Sequence, residues 1–299
     1  MDVSEPSGSP GSGWEIPPPG GRPGRPGGAG DGRPPPPVGW VGQSSPPPNT
    51  SGRPVPPIQG RWGLGDALLG FVVGVITSSL AVVIWVSATG ERTTSSSTST
   101  VGATVFSLVG LWVGLAGAPV LASRLKGTKQ LAVDFGLRLK VWPDVPLGVA
   151  VGLGSQLILL PVLYIPVRVL VPHLDQQLGQ PAQHLTGGAG GGGLVVLGIF
   201  VVLGAPLVEE LFFRGLLLRS LEKTKVLASL GRRACPTIAV LISAVAFGLA
   251  HLEVLQLLGL TAFGVVLGVL AERWRRLGPG IVAHATFNAV TVLVLAFSR

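Results

Sequence analysis

The sequence predicts an all-α fold, a polytopic membrane helix bundle of about seven spans behind a disordered N-terminal tail. Three observations carry this prediction. The 299 residues are 47% hydrophobic and only 12% charged, about half the charge density of an ordinary soluble domain. Mean hydropathy is +0.57 although the chain holds 45 Gly and 27 Pro, so its apolar residues must be concentrated. They are, because residues 1–60 contain 17 of the prolines and 14 of the glycines, and long apolar runs begin only at Leu64.

Residues 1–60 hold runs such as Pro34–Pro37 and Pro46–Pro48, a composition that cannot bury a core. Proline-binding partners could read those runs, but a solvated tail is the simpler reading, and the sequon at Asn49 lies within it. No apolar segment follows Met1, so the first span is expected to act as its own insertion signal. The remainder, 61–299, forms the bundle. Seven apolar stretches approach the roughly 20 residues a helix needs to cross a bilayer: 64–88, 103–123, 145–170, 194–218, 236–252, 254–271 and 279–297. The fifth and sixth are short and nearly abut, so six spans or a re-entrant segment fit as well. The glycine run Gly187–Gly193 has no Lys-Ser/Thr after it and reads as a flexible loop rather than a phosphate cradle.

Charge gives orientation. Arg22, Arg25, Arg33, Arg53 and Arg61 precede the first stretch. Arg124, Lys126, Lys129, Arg138 and Lys140 follow the second, Arg219, Lys223, Lys225, Arg232 and Arg233 the fourth, and Arg273, Arg275 and Arg276 the sixth. The alternate loops offer only Arg92 and Arg168, which places the tail in the cytoplasm of a cell-membrane protein and the C-terminus outside. The net charge of +8 is thereby a topology signal, and nucleic acid is not an expected partner. One cysteine, Cys235, excludes an intramolecular disulfide and cysteine-built zinc sites. GxxxG pairs at Gly70/Gly74, Gly110/Gly114, Gly148/Gly152 and Gly264/Gly268 would let four helices approach their neighbours closely.

The fourth stretch carries Glu209, Glu210 and Arg214, each costing on the order of 2.5–3.5 kcal/mol to insert. Glu210 and Arg214 are four apart and share a helix face, whereas Glu209 and Arg214 are five apart, about 140° round the axis. That pairing leaves Glu209 as a free carboxylate, a group able to take a proton from water. The fifth stretch carries Phe247 and His251, the seventh His284 and Asn288, both pairs again four apart. A single intramembrane histidine is often an interhelical hydrogen bond, but two histidines, an asparagine and a carboxylate make a site. His173 and His184 read as surface residues. Straight spans put His251 about 27 Å and His284 about 12 Å from their cytoplasmic ends, so a shared site requires tilt, a helix broken at Pro206, or a re-entrant fifth segment.

EELFFR, FGLAH and HATFN, in that order on three apolar helices, resemble the EExxxR, FxxxH and HxxxN/D motifs of the CPBP family. These are the CAAX-protease and bacteriocin-processing membrane proteins that include Ras-converting prenyl-protein endopeptidases. Pro206 and Gly215 fit the first motif, and the resemblance covers about 194–297, the expected protease core. It implies an intramembrane endopeptidase in which Glu209, with His251, activates a water, while His284 and Asn288 form the oxyanion hole. Glu210 and Arg214 would support the site and Phe247 pack beside it; Glu253 has no assigned role. The substrate would be a membrane-held peptide or protein, lipidated or not. No cofactor is required in this reading; a zinc variant would use Glu209, His251 and His284 as ligands, although HExxH is absent. A non-catalytic scaffold or bacteriocin-immunity-type binding protein is the alternative of another class. A transporter is disfavoured by the lack of an internal repeat.

Overall fold

Outward-facing side chains identify the solvent for which this chain is built: Leu68, Ile76 and Val83 are each more than half exposed, as suits helices whose outer faces meet lipid. The computed structural model describes residues 60–90, 100–186 and 191–297. The tail expected to be disordered, Arg92, the Gly187–Gly190 part of the glycine run and the side chain of His184 lie outside the described residues. Among the described residues seven helices are long and apolar enough to span a membrane: α1 (Leu64–Thr89), α2 (Val101–Lys126), α3 (Val141–Leu170), α5 (Gly191–Glu222), α6 (Gly231–Ala250), α7 (Val254–Trp274) and α8 (Gly278–Phe297). A non-spanning amphipathic helix, α4 (Leu174–Thr186), joins α3 to α5. No strand occurs among the described residues.

The abutting stretches resolve into two separate helices, α6 and α7, joined by the turn His251–Glu253 with Leu252 in the left-handed region at φ 56°. The glycine run departs from the sequence expectation at its end, since Gly191–Gly193 already belong to α5. Glycine costs a helix about 1 kcal/mol relative to alanine, but lipid leaves a backbone N–H no partner outside its own helix.

All four glycine pairs sit where helices meet. A Cβ on Gly114 would run into the backbone of Gly74 across the α1–α2 seam, and one on Gly110 would lie 2.6 Å from the Thr77 carbonyl. Thr77 Oγ1 donates to the Gly110 carbonyl at 2.6 Å, and Ser78 Oγ to that of Ser107 at 3.0 Å. Gly148 and Gly152 receive α8 at Val282 and Ala283, while Gly264 and Gly268 of α7 receive Ala244 and Val240 of α6.

The ends near the basic loops are tied by polar contacts. Asp144, fully buried at the start of α3, accepts from the Lys140 N–H at 2.8 Å and from Arg276 Nε at 3.0 Å, which fastens α3 to the α7–α8 turn. Lys223, just past α5, stands 3.6 Å over the Trp62 ring and donates to the Trp62 carbonyl at 2.7 Å. Between these ties lies the apolar core, with Phe135, Leu216, Leu218, Phe247 and Leu277 almost wholly buried.

Candidate active site

Helix α5 is not wound uniformly. An α-helical start gives way to a π-wound segment at Phe200–Gly204, a single α turn at Ala205–Glu209, a second π-wound segment at Glu210–Leu217, and a closing α turn. Such segments are rare, and they are frequent at functional sites. Pro206 sits in the α turn between the two. In the first π segment the Ala205 N–H reaches back five residues to the Phe200 carbonyl. The next N–H in that register, for the Val201 carbonyl, would belong to Pro206, which has none. Asn288 of α8 supplies the missing donor, its Nδ2 lying 2.9 Å from the Val201 carbonyl oxygen. The helix thus stays continuous through Pro206 and changes its winding there, in place of the break the sequence allowed for.

The second π segment begins at the paired glutamates. Glu210 and Arg214 are both shut off from solvent and pair at 2.8 Å, Nη1 to Oε1, as their spacing predicts. Arg214 Nη2 also donates to the Gly264 carbonyl at 3.2 Å, and the guanidinium lies 4.4 Å from the Phe247 ring centre. Thus α5, α6 and α7 meet on one cation. Gly280 of α8 closes the other side, where a Cβ would stand 3.2 Å from Glu210 Oε2.

His284 joins the two carboxylates. Its Nδ1 lies 3.2 Å from Glu210 Oε1 and its Nε2 3.8 Å from Glu209 Oε2. Glu209 lies apart from the Glu210–Arg214 pair: its side chain retains 15% of its exposure, against 1% for Glu210, and it faces an imidazole edge. Aromatic edges fix that imidazole, since Phe247 and Phe263 each contact the His284 ring edge to face, with centroids 5.6 Å apart.

His251 stands further out. It is exposed at the end of α6, its Nδ1 is 2.8 Å from the Phe247 carbonyl, and its ring meets the opposite side of the chain of contacts through Phe247 at 4.8 Å. A carbonyl only accepts, so the proton of the neutral ring belongs on Nδ1, which leaves Nε2 as an acceptor. The structure thus gathers Glu209, Glu210, Arg214, His284 and Phe247 directly and reaches His251 through Phe247. Asn288 points its amide at the α5 backbone. His173 is exposed, as expected. Among the described residues no group of three or more histidine, cysteine, aspartate or glutamate side chains is arranged to hold a metal ion. Glu209, His251 and His284, the ligand set of the zinc alternative, are not so assembled.

Two supporting side chains had no motif to announce them. Ser243, four residues before Phe247 on the same face of α6, is buried and donates to the Phe213 carbonyl inside the second π segment at 2.9 Å. Thr291, two helical turns beyond His284, meets Gln156 at 3.4 Å in a third π-wound segment, Ser155–Leu159 of α3. Thr291 stands seven residues beyond His284 and Ser243 eight before His251, each on the face of its helix that carries the motif, which is the signal that could have found them.

Residues 191–290 match the family model described as Rce1-like, Type II CAAX prenyl endopeptidase Rce1-like. The match extends the three-motif resemblance to the CAAX-protease family over the whole segment that builds this site, and it supports an intramembrane endopeptidase of the CAAX-protease type. No curated protein and no solved structure matches the chain.

Proposed function

We propose that this chain, with the CAAX-protease family's motifs and model match on its second half, hydrolyses a peptide bond of a membrane-held substrate through a water activated by Glu209. The observation that carries the reading is the inequality of the two carboxylates. Glu210 is immobilised between Arg214 Nη1 and His284 Nδ1, while Glu209 keeps access and faces His284 Nε2 at 3.8 Å. That separation is too long for a direct hydrogen bond and suits a water held by both groups. Glu209 takes a proton from the water as its oxygen adds to the scissile carbonyl carbon. The same proton then passes to the departing nitrogen as the C–N bond breaks, leaving a carboxylic acid and an amine, with the water's second proton on the acid. When the His284 ring carries both protons, its Nε2–H is a donor for the charge that develops on the carbonyl oxygen. His251, with Nε2 as acceptor, is the residue that the family pattern implies acts with Glu209 on the water.

The polarity of the loops orients the chain in a cell membrane with residues 1–60 and the loops after α2, α5 and α7 in the cytoplasm and the C-terminus outside. The substrate is membrane-associated, and a prenylated peptide ending in a CaaX sequence is one member of the class to assay. The test compares peptide termini in native membranes carrying the wild-type chain and Glu209→Gln. Termini present with wild type and absent with Glu209→Gln support the endopeptidase. Identical termini favour the scaffold reading, in which the motifs serve the fold alone.

A further inference from the structure

We infer that Asn288 is a positioning residue, whose side-chain amide replaces the backbone N–H that Pro206 lacks and so holds the π winding that aims Glu209 and Glu210 at His284. The inference deepens the endopeptidase reading and rests on it only for its consequence in turnover. Its geometry stands alone. The Phe200 carbonyl is served by the Ala205 N–H in the five-residue register. The Val201 carbonyl would need residue 206, which is proline, and takes Asn288 Nδ2 at 2.9 Å instead. An unpaired carbonyl in an apolar interior is costly; in the α register the Ala205 N–H would serve Val201 and the Val202 carbonyl would face Pro206, so the amide at Val201 is what favours the π register over the α register. A π segment contains one residue more than the α winding it replaces, and losing that residue turns everything downstream by about 100°. Glu209 follows Pro206 by three residues, and its carboxylate lies 3.8 Å from His284 Nε2. It could not keep that position through such a turn. Asn288 and His284 share a face of α8, four residues apart, so one helix sets both the winding of α5 and the imidazole that the winding must meet.

The test is a double-mutant cycle on the full chain in detergent, with thermal unfolding as the first readout and turnover of a prenylated CaaX peptide as the second. Asn288→Leu keeps shape and removes the donor. In the wild-type background it is expected to lower the melting temperature and to cut turnover on the order of 10²-fold, the usual cost of misplaced catalytic groups. Pro206→Ala restores a backbone N–H within reach of the Val201 carbonyl, and in that background Asn288→Leu is expected to cost little further in either readout. An equal melting-temperature loss in both backgrounds overturns the inference. So does rescue of stability without rescue of turnover, which would make Asn288 a donor to the reacting carbonyl. If Asn288→Leu gives no folded protein, recovery of folded protein on adding Pro206→Ala supports the inference, and failure to recover it overturns it. Stability coupling with no turnover in any chain, wild type included, upholds the positioning role and counts against the endopeptidase alone.

Discussion

Glu210 Oε1 is shared between Arg214 Nη1 at 2.8 Å and His284 Nδ1 at 3.2 Å, in a place with no solvent. One oxygen thus joins α5 to α8, while the cation that neutralises it joins α5 to α7 through the Gly264 carbonyl. Removing the cation leaves a buried charge with a single imidazole partner, a change that costs about 3–5 kcal/mol where buried pairs have been broken. Arg214→Ala is therefore expected to lower folded yield and melting temperature along with activity. Arg214→Ala combined with Glu210→Leu should be less destabilised than Arg214→Ala alone, as thermal unfolding in detergent would show. A single change with wild-type stability would mean the pair is not holding the helices.

A second expectation concerns metal. With His251 Nδ1 turned to the Phe247 carbonyl and both nitrogens of His284 facing glutamates, the proposed chemistry runs on side chains alone. Prolonged chelation of purified protein should leave turnover essentially unchanged. Loss on chelation with recovery on added zinc would reinstate Glu209, His251 and His284 as ligands, and the wild-type chain should then retain zinc that Glu209→Gln loses.

Much of this architecture was legible because membrane helices announce themselves by length. The small-residue pairs went further and located the seams, since Gly110 and Gly114 have no purpose on a lipid-facing surface and do pack against α1. The winding of α5 was not legible. In a segment apolar on every side, no periodic contrast distinguishes 3.6 residues per turn from a wider turn, and Pro206 marked only where the winding would be disturbed. Helical spacing likewise showed that Glu210 faces Arg214, but it says nothing about which neighbouring helix a free face meets. That the His284 ring stands beside Glu209 was therefore not readable from spacing alone. The glycines from 191 to 193 misled for a related reason, because propensities measured in water understate the demand for backbone pairing in lipid.

Topology gives a third prediction. The basic residues cluster at and after the ends of α2, α5 and α7, and the seven helices long and apolar enough to span among the described residues would carry the chain across the bilayer an odd number of times. Reporters fused after Arg138 and Arg233 should read cytoplasmic, and one fused after Arg299 external. A cytoplasmic reading at Arg299 alongside one at Arg233 would show that one of α6, α7 and α8 does not cross, and the short α6–α7 hairpin would be the first suspect.

The division of labour between Glu209 and His251 gives the last prediction. Both act on the water in the proposed reaction, but they are placed differently: Glu209 lies inside the bundle beside His284, and His251 stands exposed at the end of α6, linked to that site by the Phe247 ring. Glu209→Gln removes the base while preserving shape and hydrogen-bonding capacity, so turnover should fall by roughly 10² to 10⁴, the range for general acid–base groups, with the melting temperature little changed. His251→Ala should cost turnover within that same range. Because this ring is exposed and anchored by one bond to the Phe247 carbonyl, its loss leaves a space that solvent can reach. Added imidazole should therefore restore part of the activity of His251→Ala and none of that of Glu209→Gln. Unchanged turnover in Glu209→Gln would remove this carboxylate as the base, and the same result in His251→Ala would confine the chemistry to Glu209 and His284.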